Sequence, residues 1–190
     1  MKFLHKNSSG FTLIELIIVI TIVMILLGIS LFPYGYYMQR AYTERAADNI
    51  SQEWILAHKA IRSGIEFDSI ANTHASLFFV FKKGSKEIDS YLLSGTTLPD
   101  INLLPTDPNI LKKYKTLSME SGVEIIDFSG SIKNSGTSIG YIITPPGGDG
   151  VFFTGSTSQY LTGATIIVGY PGAPISTGRS REILLRTYLK

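Results

Sequence analysis

Residues 11–32 read FTLIELIIVITIVMILLGISLF. Only Thr12, Glu15, Thr21 and Ser30 carry strongly polar side chains in this stretch. At 1.5 Å per residue a helix of that length spans roughly 33 Å, about the hydrocarbon thickness of a bilayer. Lys2 and Lys6 precede it, and residues 1–10 contain no acid. A basic flank on that side predicts an N-terminus on the cytoplasmic face. A secretory signal would instead have an apolar core of about 7–15 residues with small residues after it. Here the run is longer, and Ser8, Ser9 and Gly10 lie before it.

Glu15 is the one acid in the run. A carboxylate costs about 2.5–3.5 kcal/mol near a bilayer centre and less near its edge. It either reaches back to water or meets a cation. A cut between Gly10 and Phe11 would supply that cation as a new α-amino group. Phe11 and Glu15 are spaced i,i+4, so they can pair within one helix or between staggered neighbours.

The string Ser9-Gly10-Phe11-Thr12-Leu13-Ile14-Glu15-Leu16 resembles the processing signal of type IV prepilins and pseudopilins. The resemblance rests on a short Lys-containing leader, Gly before the cut, Phe after it, and Glu at the fifth position beyond it. It implies cleavage after Gly10 by a membrane prepilin peptidase and N-methylation of Phe11. It also implies that Glu15 engages a neighbour's N-terminus during assembly. Further partners implied are other pilin or pseudopilin subunits, an inner-membrane assembly platform and the lipid bilayer.

Pro33 ends the apolar run and is expected to bend or break the helix, with Gly28 loosening it nearby. Many pilins are similar in carrying a Pro near this point. Met38, Tyr42, Ala46, Ile50, Trp54, Ala57 and Ile61 then recur every three or four residues. That is one apolar stripe, and it predicts a helix to about Arg62, stopped by Ser63-Gly64. From about Ala75 short β-rich runs alternate with Gly, Pro and Asn turns: Leu77–Phe81, Ile88–Leu93, Val123–Phe128, Ile139–Thr144, Val151–Thr154, Thr165–Tyr170 and Ile183–Tyr188. They predict an antiparallel sheet. Leu98–Met119, with Pro99, Pro105 and Pro108, is expected to be a long connection with one short helix at Asn109–Leu117.

The expected fold class is α+β: a long N-terminal helix, half membrane and half amphipathic, packed on an antiparallel β-sheet head. The expected organisation is a cleaved leader at 1–10, an assembly helix at 11–32, an amphipathic stalk at 33–62 and a head at 63–190. Leu56-Ala57-His58-Lys59-Ala60-Ile61-Arg62-Ser63-Gly64 followed by a β-rich half resembles H-type minor pseudopilins and FimT-like minor pilins. The chain lacks the C-terminal cysteine pair that many major pilins carry.

The composition fits this organisation. The chain has 190 residues, 44% of them hydrophobic, and a formal net charge of +2. Without Lys2 and Lys6 its 17 basic side chains become 15, equal to the 15 acids. That balance excludes a globally basic nucleic-acid binder. No cysteine is present, so disulfides and thiolate chemistry are excluded.

Other motifs carry little chemistry. Gly136-Thr137-Ser138-Ile139-Gly140 fits the G-x-S-x-G string, which needs a strand-to-helix elbow and a downstream His. The three histidines, His5, His58 and His74, all precede it. No enzyme activity, cofactor or metal is therefore expected. Asp149 in a glycine turn is a conceivable calcium ligand but an ordinary turn residue. Gly178-Arg179-Ser180-Arg181, with Arg186 beyond, is the sharper candidate. Paired guanidiniums grip phosphate, and FimT-like pilins of DNA uptake carry a similar string. The solvated start of a last strand reads the same way. The leading expectation is a structural subunit of a pilus or secretion pseudopilus, single-pass in the cytoplasmic membrane with its head outside. The alternative is a DNA-binding minor pilin that uses Arg179, Arg181 and Arg186.

Overall fold

In the computed structural model one helix, α1, runs from Leu13 to Arg62. The structure describes residues 10–63, 75–95, 98–101, 104, 106, 110–120, 122–129, 137–145, 147–154, 157–161, 163–174 and 177–186. The leader lysines, His5, Gly64, His74, Pro105, Pro108 and the expected turn at Asn134–Gly136 lie outside the described residues. The chain divides into two compact units, Met1–Met38 and Gln39–Lys190.

Helix α1 does not break at Pro33, which sits inside it. Of the two expected outcomes, a bend or a break, the break does not occur; Pro33 removes one hydrogen bond, the one a backbone N–H at 33 would give the Ile29 carbonyl. In the second unit Ala46, Ile50, Trp54, Ala57 and Ile61 of the predicted stripe are buried, joined by Ala47, while Tyr42 is half-buried. The helix closes where Ser63 bonds back twice, N–H to the Lys59 carbonyl at 2.9 Å and hydroxyl to the Ala60 carbonyl at 3.0 Å.

Among the described residues nine antiparallel strands form two sheets rather than one. They are β1 (Ala75–Lys82), β2 (Glu87–Ser94), β3 (Ile110–Ser118), β4 (Glu124–Ser129), β5 (Ser138–Thr144), β6 (Asp149–Thr154), β7 (Thr157–Leu161), β8 (Gly163–Gly169) and β9 (Ser180–Arg186). The larger sheet has the order β3-β2-β1-β5-β6-β7, and the smaller has β4-β8-β9. The β1–β2 turn joins them: the Gly84 N–H bonds to the Ile125 carbonyl at 2.7 Å, and the Ile125 N–H bonds to the Ser85 carbonyl at 3.0 Å. Gly84 has φ +76, a left-handed conformation that favours glycine.

The run SLFFVF in β1 is apolar on both faces because both faces are covered. Leu77, Phe79 and Phe81 join Trp54 and the helix in the main core. Phe78 and Val80 point the other way, into a second core with Tyr91, Ile142 and Phe153. Leu98, Ile101 and Leu104 pack on that second core, so the proline-rich connection covers the outer face of the sheet.

Within that connection the expected helix at Asn109–Leu117 is wrong. Ile110–Ser118 is strand β3, paired with β2. The Lys-rich pattern suits a helix surface, but it equally suits an edge strand, where lysines discourage further pairing. Register shifts at Ser90/Tyr91 and Leu92/Leu93 make that edge irregular as well. Strand β7 is polar and was not expected.

Candidate functional site

Gly10 and Phe11 precede α1 outside any helix or strand, and Phe11 is 89% exposed. Thr12 caps the helix. Its hydroxyl oxygen accepts the Glu15 N–H at 3.3 Å, and the Glu15 carboxylate accepts the Thr12 N–H at 2.8 Å and the Thr12 hydroxyl at 2.9 Å. That is a reciprocal capping box. Reading Glu15 alone missed it, although Thr12-x-x-Glu15 is its sequence signature. The hydroxyls of Thr21 and Ser30 donate to the carbonyls of Ile17 (2.8 Å) and Leu26 (2.9 Å). These two polar groups therefore need no water. Glu15 is the only charged side chain between Phe11 and Gln39.

Around it the helix is apolar on every side. The large apolar residues from Leu13 to Leu31 are all exposed, and the segment is long and apolar enough to cross a membrane. A water-facing surface of that kind is unfavourable. Gly28 would meet nothing within 4 Å if it carried a Cβ, so no packing within the chain demands glycine there.

The three arginines do not converge. The Arg179 guanidinium donates to the Gln39 side-chain oxygen at 3.4 Å. Its carbonyl accepts the Thr43 hydroxyl at 3.2 Å and the Tyr170 N–H at 3.1 Å. Arg179 is thus built into the packing of α1 on the small sheet. Arg181 and Arg186 are exposed on β9, and five residues of separation put them on opposite faces of the strand.

At the other end of the packed half of α1, His58 is 4% exposed. Its Nδ1 lies 3.0 Å from the Gly148 carbonyl and its Nε2 lies 2.9 Å from the Tyr141 hydroxyl. A carbonyl only accepts, so Nδ1 carries the proton. Nε2 then accepts from Tyr141. Burial pushes the imidazole below the ordinary histidine value; the bond to Gly148 opposes this, and the Arg62 cation adds to the lowering. Arg62 Nε donates to the Gly147 carbonyl at 3.1 Å. Helix and β5–β6 turn are therefore tied at two points. Sequence reading placed His58 only on the stalk; its partners are 83 and 90 residues away, beyond any local pattern.

The remaining candidates are ordinary structure. Ser138 opens strand β5, and Gly140 lies inside it, packed against Phe78 and Phe153. No strand-to-helix elbow forms at this serine. The Asp149 carboxylate folds back on its own turn beside Gly147. Among the described residues no three His, Cys, Asp or Glu side chains gather in a group that could hold a metal. A groove of about 380 Å³ between α1 and strands β1–β3 is lined by Trp54, Phe79, Lys59, Tyr114 and Lys115 among others.

Comparison with known proteins agrees with this geometry. Residues 5–31 match the family described as the prokaryotic N-terminal methylation motif. Two curated fimbrial proteins of Pseudomonas aeruginosa are each 32% identical over 120 residues, covering 63% of this chain and 75% of the relative. No solved structure matches the chain. A membrane-compatible helix packed on antiparallel sheets defines a pilin-like protein, and the chain belongs to the type IV pilin family. That family is structural rather than enzymatic, and its members assemble with other pilin subunits.

Proposed function

We propose that this chain is a minor pilin or pseudopilin of the H-type or FimT-like kind. It is made as a precursor, inserts in the cytoplasmic membrane through residues 11–32, and is drawn into a type IV pilus or a type II secretion pseudopilus. A prepilin peptidase cuts between Gly10 and Phe11, and Phe11 is N-methylated. The N-terminus lies on the cytoplasmic side and the head, residues 63–190, outside. The assembly platform extracts the subunit. Gly28 and Pro33 give the helix the freedom to adjust as it packs in the fibre.

One observation carries this reading. The helix is apolar all round from Leu13 to Leu31 and holds a single carboxylate, four residues from the proposed new N-terminus. Bilayer and neighbouring helices both satisfy such a surface. The carboxylate adds register, because a buried acid is tolerated only beside a cation. After the cut Glu15 exchanges its cap on Thr12 for a neighbour's α-amino group.

The nucleic-acid alternative gains nothing from the head. Arg179 binds Gln39, and Arg181 and Arg186 lie on opposite faces of β9.

The test is Glu15→Leu in cells that make the filament. The variant is expected to be cleaved and to stay in the membrane fraction, while the unaltered chain appears in sheared filaments. Equal amounts of variant and unaltered chain in the filaments would contradict the role given to Glu15.

A further inference from the structure

We propose that His58 is a proton-operated latch that holds the β5–β6 turn to the end of α1 while neutral and lets it go on acidification. The geometry states the requirement. Both ring nitrogens are engaged, one as donor to Gly148 and one as acceptor from Tyr141. The neutral ring with its proton on Nδ1 fits both partners as they stand; a charged ring keeps the Gly148 bond but requires the Tyr141 hydroxyl to turn and accept, and places a cation in a buried site.

The surroundings oppose a second proton. Trp54 and Tyr141 lie against the imidazole, with ring centroids 5.3 and 5.7 Å away. The Tyr141 hydroxyl packs directly on Gly150, where even a Cβ would collide with it, so that side of the site is closed to water. Among the described residues the titratable and charged groups around the ring are few. Arg62 is one turn along the same helix and raises the cost of a cation. Tyr141 comes from β5. Asp149 belongs to the turn, and its carboxylate lies against Gly147. Lys59, next to His58 in the chain, lines the groove.

A charged His58 therefore gains by leaving for water, and it takes the Gly148 bond with it. The Arg62–Gly147 bond is left to hold the turn to the helix. The sign follows from linkage. Burial lowers the folded-state pKa below the ordinary value of 6.5. The contribution of His58 is thus complete above about pH 6.5 and is lost as pH falls from there toward the folded value. The inference does not depend on filament assembly.

The test uses the full chain in detergent micelles with His5→Gln and His74→Gln, which leaves one imidazole. Its NMR titration and the hydrogen exchange of the Gly148, Asp149 and Gly150 amides are followed together, with exchange corrected for its intrinsic pH dependence. The expected result is a midpoint below 6.5. Exchange in the turn should rise about tenfold or more through that midpoint, while the Leu77–Phe81 amides of β1 stay protected. His58→Gln can still donate and accept but cannot charge, so its turn should exchange at a rate that acid does not change. A midpoint at or above 6.5, or turn exchange unmoved through the titration, would overturn the latch. If the His58→Gln protein does not fold, the single-histidine chain decides the matter alone.

Discussion

Along α1 two kinds of apolar surface follow one another. In the first unit Ile20 is the least exposed of the large apolar residues from Leu13 to Leu31, at 46%. In the second unit Ala47 is the most exposed member of the buried stripe, at 8%. Both segments are helical, and neither propensity nor length separates them. The difference lies in pattern. The first is apolar all round and finds no cover among the described residues; the second is apolar along one stripe and is covered by two sheets. A sequence thereby specifies which half of a helix is completed by its own fold and which is left for a bilayer or a neighbour.

Substitutions that act on one half and spare the other sharpen this contrast. The largest expected effect is at Trp54, whose ring lies 4.0 Å from that of Tyr141 and stacks on Phe152 at 5.6 Å. Trp54→Ala should cost the head about 3–5 kcal/mol, read as a lowered denaturant midpoint. Membrane retention should be unchanged. A head of unaltered stability would show that the stripe does not anchor the helix. Next is Ile22→Arg, in the middle of the uncovered half. It should weaken membrane insertion by about 2.5–3.5 kcal/mol and release the chain on carbonate extraction. Unfolding of the head should stay within about 0.5 kcal/mol of the parent. Coupling between the two readouts would break the comparison.

The smallest effect is expected at Lys83, whose ammonium lies 3.1 Å from Asp127 with both side chains about half exposed. Lys83→Ala should change head stability by no more than about 1 kcal/mol. A larger loss would mean that this pair, rather than the backbone bonds of Gly84 and Ile125, joins the two sheets.

What could be read from the sequence follows from the range of the forces involved. The apolar run, the stripe and most strands are local patterns, and their turns are marked by Gly and Pro. Strand β3 was misread because three lysines and a tyrosine along an edge have no buried face to betray their period; its pairing with β2 decides the conformation. Strand β7, reading TSQYL, gives equally little signal. The division into two sheets is a matter of long-range pairing. So is the His58 latch, whose two hydrogen-bond partners lie on one strand and one turn. At the N-terminus the motif that raises Gly10, Phe11 and Glu15 as candidates also contains the Thr12 cap seen in the structure. At Arg179 a short basic string shows the charge and hides the Gln39 and Thr43 contacts.

The most direct test of the account is the intact mass of the protein made together with a prepilin peptidase. The account predicts a chain that begins at Phe11, lacks residues 1–10 and carries one added methyl group. A mature protein that keeps residues 1–10 would contradict it.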